Sequence, residues 1–413
     1  MRAYPSRVLL SIGLSIGLIV SSVFMFGCGA ASTNSTGPGQ TSGSNVQALS
    51  VNGGPDSNLS YIDGAFTSVT VCAPGSSTNC QTIGGILVDT GSSGLRILSS
   101  ALSVSLPAQT NSSSQPMAEC AAFADGVTWG AVATADIKIN GELASSMPIQ
   151  IIGSSNFPAV PSDCSSQGAP MDDLTGLGAN GLLGLASAIQ DCGSACVTSG
   201  SQSLGVYYAC TSGVCSDTTE SLAEQVQNPV ASFATDNNGV IIEFPAVTGA
   251  EASVNGSLIF GIGTQSNNGL GNAKVFGTDQ FGFFTTTYNG TVYQPSFLDS
   301  GSNAIYFLDA ATTGIPICSG QSFLYCPSTP QTINITNNGT NGASGSTSFT
   351  VGNGLTLLGN GNEFAINGLG GPGPTIIGAE VFDFGLPFFF GKSVFTAIVG
   401  KSTPGGTGPY TAY

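Results

Sequence analysis

Beyond residue 58 the chain is built from short apolar or alternating runs, each closed by Gly or Asn. Thr134-Ala135-Asp136-Ile137-Lys138-Ile139 alternates and ends at Asn140-Gly141. That is the two-residue period of a half-buried strand. Thr285–Tyr288 and Thr291–Tyr293 flank Asn289-Gly290, a pair that accepts the positive φ of a tight hairpin turn. Val240–Phe244 and Ser257–Phe260 also predict strands, and Ser221–Val226 is the best helical pattern. With 59 Gly and 21 Pro the turns are dense. The pattern predicts an all-β protein made of barrels or sandwiches.

The first 58 residues read differently. Arg2 and Arg7 precede an apolar run from Val8 to Gly27, which ends at Cys28. A basic start, an apolar core and a small-residue boundary predict an export signal over 1–27. Cys28 between Gly27 and Gly29 resembles a lipoprotein processing site, which makes Cys28 the candidate for lipidation. An uncleaved anchor is the alternative, since about 20 apolar residues span a bilayer. Residues 28–58 are rich in Ser, Thr, Asn, Gly and Pro and predict a flexible tether. The remaining 355 residues divide into expected lobes over 59–230 and 231–413.

Composition narrows the chemistry. Of 413 residues 41% are hydrophobic, and 7 Lys and Arg face 23 Asp and Glu, for a net charge of −16. Removing 1–27 leaves five cations. Binding to nucleic acid is excluded, because phosphate neutralisation needs clustered cations. There is no His, which excludes Ser-His-Asp and Cys-His catalysis and His-ligated metals. No metal or cofactor is expected. Apart from Cys28 the cysteines number ten, an even set that predicts disulfides in an exported chain. Loop-closure entropy favours near neighbours: Cys72–Cys80, Cys120–Cys164, Cys192–Cys196, Cys210–Cys215 and Cys318–Cys326.

Two segments look alike. Ile86-Leu87-Val88-Asp89-Thr90-Gly91-Ser92-Ser93 and Ser296-Phe297-Leu298-Asp299-Ser300-Gly301-Ser302-Asn303 each carry an apolar strand into Asp, a hydroxyl residue, Gly and Ser. A carboxylate at the end of a buried strand is costly unless hydrogen-bonded. The following hydroxyls and the Gly N–H supply such bonds. Downstream stand Leu182-Leu183-Gly184 and Ile376-Ile377-Gly378. The Asp offset is 299 − 89 = 210 and the Gly offset 378 − 184 = 194. Recurrence in the same order predicts a duplicated lobe.

With these motifs the sequence resembles the pepsin-like aspartic peptidases, including a bacterial branch suggested by Gln227-Asn228-Pro229-Val230. The resemblance implies a bilobal double β-barrel with a cleft between the lobes. It implies Asp89 and Asp299 as the catalytic pair, hydrolysing peptide bonds through an activated water. Thr90 and Ser300 brace the turns, Gly91 and Gly301 shape them, and Ser92 and Ser302 bond the outer carboxylate oxygens. The two -Gly strands pass beside the pair. The flap is placed at Phe123–Gly130, with Phe123 where the family usually carries Tyr and Arg96 where it usually carries Trp. The expected partner is a peptide or protein substrate, the membrane contact is the N-terminal lipid anchor, and the chain is a monomer. The expectation is an exported, membrane-tethered aspartic endopeptidase of the cell envelope, an outer-membrane lipoprotein facing either the periplasm or the surface. A catalytically silent pepsin-like binding protein and a structural β lipoprotein are the alternatives.

Overall fold

The computed structural model describes residues 43–198, 205–376 and 379–413. The export signal and Cys28 lie outside these residues. The predicted strands form. Val127–Ile139 spans the alternating run, and Phe284–Tyr288 and Thr291–Leu298 make the Asn-Gly hairpin, with φ of 49° at Asn289 and 82° at Gly290. Gly239–Glu243 and Val254–Phe260 are strands as well.

Two larger sheets carry the architecture. A fifteen-stranded sheet runs through the N-terminal lobe and continues into strands that underlie both lobes; a seven-stranded sheet forms most of the rest. The continuation depends on Val46–Val51. This strand pairs antiparallel with Val254–Phe260 across the whole run and with Ala65-Phe66 at its end. The flexible tether predicted over 28–58 is therefore too long. Leu49 and Val51 are buried on one face, so a segment that looked like spacer gains enough apolar burial to be ordered. Its Ser and Asn flanks hid the two-residue alternation.

The predicted helix at Ser221–Val226 is a second correction. Only a single turn forms there, with Glu224 and Gln225 N–H donating to Ser221 O. Tertiary bonds take the rest of the backbone: Val226 N–H donates to the Tyr207 hydroxyl, and Gln225 Nε2 donates to Gly193 O and Glu220 O. A helical pattern of six residues lacks the length to resist such competition.

All five expected disulfides are present. The largest core cluster reaches across both lobes. In the C-terminal lobe it is an aromatic lattice in which Phe307, Phe349, Phe382, Phe384 and Phe388 meet as stacked or edge-on rings. Trp129 is also core: it is buried, its Nε1–H donates to Phe157 O, and its ring meets Tyr208 edge-on.

Candidate active site

Each Asp turn ends a strand whose register fixes the carboxyl. Cys80–Asp89 runs parallel to Gly181–Leu185, with Asp89 opposite Gly184. Thr291–Leu298 runs parallel to Phe382–Phe384, with Leu298 opposite Phe384, and Asp299 N–H donates to Phe384 O. One residue further on, Gly385 takes the place that Gly184 has in the first lobe. A Cβ on Gly184 would lie 2.8 Å from Ser92 O, and a Cβ on Gly385 would lie 2.6 Å from Ser302 O. Both positions need glycine because the turn carbonyl passes over them.

This corrects the second passing strand. Thr375-Ile376 instead pairs with Ala379-Glu380 in a separate small hairpin, and Ile377 and Gly378 lie outside the described residues. The strand beside Asp299 ends Asp383-Phe384-Gly385. Its central polar residue breaks the apolar-apolar-Gly signature, so the pattern was matched to a better-looking but displaced copy.

The two turns are locked together by reciprocal bonds. Thr90 Oγ1 donates to Leu298 O at 3.1 Å, and Ser300 Oγ donates to Val88 O at 2.8 Å. Each hydroxyl also accepts the other's backbone N–H: Thr90 N to Ser300 Oγ at 3.1 Å and Ser300 N to Thr90 Oγ1 at 3.0 Å. Gly91 N–H and the Ser92 hydroxyl donate to Asp89; Gly301 N–H and the Ser302 hydroxyl donate to Asp299. The closeness of the carboxyls shows at the glycines. A Cβ on Gly91 would lie 2.7 Å from Asp299 Cγ, and one on Gly301 would lie 2.7 Å from Asp89 Oδ1.

Burial pushes the Asp299 carboxyl well above the usual range, and the neighbouring Asp89 and Asp383 charges add to the rise; Asp299 also hydrogen-bonds Asp89. Two such groups in contact hold one proton between them more cheaply than two charges. Asp383 is a third carboxyl that sequence reasoning missed. Ser302 Oγ lies 2.8 Å from Asp383 Oδ2, and burial followed by the Asp89 charge raises Asp383 to about 8. Its signal was an acid inside the buried run Val381-Phe382-Asp383-Phe384. Among the described residues no His, Cys, Asp and Glu group is arranged to hold a metal.

A hairpin of Met117–Ala122 and Val127–Ile139 covers the pair, and its turn holds Phe123, Ala124 and Asp125. With these turn residues, Tyr61, Leu87, Met171, Leu177 and Leu182 line a pocket whose floor is Asp89 and Asp299. Asp125 lies within the expected flap, whereas Tyr61 and Met171 carried no recognisable sequence signal, because loops from distant positions bring them in.

The sequence itself places the chain in a family. Residues 41–413 match the family described as protein of unknown function (DUF3443). The chain belongs to this family. No curated protein sequence matches it. Among solved structures it is similar to the aspartic proteinase from Irpex lacteus, with a TM-score of 0.51 over 89% of this chain and 96% of that one, at 14% identity. At that identity the likeness shows the fold: the bilobal, all-β, pepsin-like architecture.

Arg96 gives this DUF3443 member its own way of holding the hairpin. The buried guanidinium bonds Glu119 Oε1 at 2.5 Å, Asp191 Oδ2 at 3.1 Å and Ser93 O at 2.8 Å. It also lies 5.6 Å from the centre of the Phe123 ring, within cation–π range. Glu119 belongs to the first hairpin strand, so Arg96 ties the flap to the lobe beneath it. Arg96→Ala leaves Glu119 and Asp191 buried without their cation. We expect a loss of about 3–5 kcal/mol, measured by urea denaturation. Arg96→Lys should recover only part of it, because Lys lacks the planar fork.

Buried acids also set the pH dependence of stability. Asp63 is fully buried, and burial raises its carboxyl well above the usual range against one bond from Ile366 N–H. With Asp299 and Asp383 it binds protons in the folded state that the unfolded chain releases near pH 4. Stability is then full below about pH 4 and falls as pH rises through the folded-state range of these acids, which for Asp383 reaches about 8, by up to about 1.4 kcal/mol per unit per group. Denaturation midpoints measured from pH 4 to 8 should fall steadily, and Asp63→Asn should flatten the slope. A midpoint that rises over this interval contradicts the assignment.

Proposed function

We propose that the protein is an exported aspartic endopeptidase. The observation that carries this reading is the contact between Asp89 and Asp299 at the floor of a covered pocket, each held by the same bonds from its own turn. The pair shares one proton, and its apparent pKa values belong to the pair. Asp299, raised by burial and then by the neighbouring charges, holds the proton in the resting state, and Asp89 is the base. Asp89 takes a proton from a water between the two carboxyls while Asp299 hydrogen-bonds the scissile carbonyl oxygen, so the water attacks an activated carbon. The tetrahedral adduct then collapses as Asp89 passes the proton it took from water to the leaving nitrogen, the C–N bond breaks, and the adduct oxygen re-forms the carbonyl, returning any proton to Asp299. Thr90 and Ser300 hold the two turns together, and Gly91, Ser92, Gly301 and Ser302 direct the carboxyl oxygens.

Leu87, Phe123, Met171, Leu177 and Leu182 make the pocket wall apolar. The reading therefore includes a preference for a large apolar side chain next to the cut bond. Phe123 favours a second reading, a peptide-binding protein with little or no turnover, since its ring offers no hydroxyl to a substrate or to a neighbouring side chain. A peptide library digested across pH 3–7 decides between them. Asp89→Asn and Asp299→Asn should each abolish cleavage with the fold retained. Peptides that bind in the cleft but stay uncut at every pH would leave only the binding reading.

The same proposal puts the folded part, two lobes over 59–230 and 231–413 joined to the strand Val46–Val51, outside the cytoplasm as a monomer. Five disulfides fit an oxidising compartment, and no helix among the described residues is long and apolar enough to cross a membrane. Cys28 carries the lipid that tethers it to the outer membrane. Cys28→Ser should leave a longer, unlipidated precursor by mass spectrometry; an unchanged mature mass would replace the lipid with an uncleaved anchor.

A further inference from the structure

The C-terminal lobe departs from the symmetry of the site at a single side chain. Leu182 and Asp383 occupy equivalent positions, each two residues before the glycine that passes the turn, and each is almost fully buried. Along Phe382–Phe384 the two phenylalanines enter the aromatic core, so the intervening Asp383 faces the other way, onto Ser302. The Ser302 hydroxyl has two carboxyl oxygens within reach: Asp299 Oδ2 at 3.0 Å and Asp383 Oδ2 at 2.8 Å. One hydroxyl has one proton to give. Both contacts are hydrogen bonds only if one of the carboxyls carries a proton and donates it to Ser302 Oγ.

Asp383 is the better donor. Its second oxygen, Oδ1, is buried with no hydrogen-bond partner among the described residues. A neutral carbonyl oxygen tolerates that position far better than half of an ionised carboxylate. Asp299, by contrast, accepts from Gly301 N–H at 2.8 Å as well as from Ser302. The groups that act on Asp383 are acids and phenols. They are Asp89, Asp299 and Tyr306, and Tyr306 in turn feels Asp125, Tyr61 and Asp63. None of the cations is there: Arg96 is held by Glu119 and Asp191, and Lys138, Lys274, Lys392 and Lys401 bond elsewhere.

We propose that Asp383 is a positioning residue for the catalytic pair: a protonated third carboxyl that donates to Ser302 Oγ, turns the Ser302 proton onto Asp299, and exchanges a proton with Asp299 through that hydroxyl. The exchange takes place when Asp299 is ionised, its proton having passed to Asp89 or to substrate: the Asp383 proton moves to Ser302 Oγ as the Ser302 proton moves to Asp299 Oδ2, which leaves Asp383 ionised. The hydroxyl is regenerated and the charge of the group is unchanged. When Asp383 ionises at higher pH, its charge holds the proton of the pair more tightly. The singly protonated pair then persists to higher pH than two carboxyls alone allow. The burial-driven rise of Asp383 to about 8 agrees with this order of events.

For catalysis the inference rests on the peptidase reading, but its main test needs no cleavage. In the mature protein labelled with 13C at the aspartate carboxyls and titrated upward from pH 4, three protons should persist on buried aspartates beyond the usual carboxylate range: one on Asp63, one on the Asp89–Asp299 pair and one on Asp383. Finding only the first two overturns the proposal. In Asp383→Asn, which keeps an N–H donor to Ser302, the midpoint for the pair should move to acid by about one unit. Asp383→Leu copies the first lobe at Leu182 and gives the same readout if the amide is poorly tolerated. An unmoved midpoint in a folded variant also overturns it. If the protein cleaves peptides, the basic limb of kcat/KM should move to acid by the same amount, with KM little changed. A protein that shows the third proton but cleaves nothing would sink the peptidase reading and leave the proton linkage standing.

Discussion

Two carboxyls in contact inside a protein form an unstable arrangement unless everything around them holds it. Among the described residues neither Asp89 nor Asp299 is paired with a cation. Their tolerance rests on a shared proton and on donors fixed in advance. The reciprocal Thr90–Ser300 bonds matter most, because each hydroxyl reaches into the opposite lobe and bonds the residue just before the other Asp. The lobes cannot separate or rotate without breaking them. The underlying sheet serves the same constraint, since Val46–Val51 pairs with strands on either side and keeps the two turns on one floor.

The flap is held by a different kind of interaction. Arg96 and Glu119 form a fully buried ion pair with Asp191 as a second acid. Such a pair contributes little net stability compared with apolar packing, yet breaking it is expensive. It therefore acts as a specificity device, fixing where the hairpin leaves the barrel. The Phe123 ring over the guanidinium extends that control to the hairpin's turn. An aromatic residue without a hydroxyl suits this arrangement, because its face, not a polar tip, meets the cation.

The pseudo-symmetry of the site fails at Asp383. The first lobe places Leu182 at the pocket wall, while the second places an acid behind Ser302. The two carboxyls thus sit in unlike electrostatic surroundings. On the proposed mechanism this difference gives the two carboxyls unlike roles, which two matching turns alone would not.

Much of this was legible in the chain. The duplicated Asp-Thr-Gly and Asp-Ser-Gly turns, the bonds their hydroxyls make, the hairpin at Asn289-Gly290 and the near-neighbour disulfides follow from local chemistry: a turn, a cap or a short loop is decided by residues next to one another. The strand at Val46–Val51 was misread because its partner lies over 200 residues away, and burial, not local preference, orders it. The turn at Ser221–Val226 lost its helix for the same reason. The passing strand of the second lobe was matched to Ile376-Ile377-Gly378, because pattern rewards apolar residues and Asp383-Phe384-Gly385 has an acid where one belongs. Arg96 and Phe123 were visible only as departures; their partnership through Glu119 needed the fold. The sequence by itself determined the residues able to do the chemistry, since those are set by short-range geometry. Only the tertiary structure decided which buried charges face each other, because burial and contact across the lobes are properties of the packed whole.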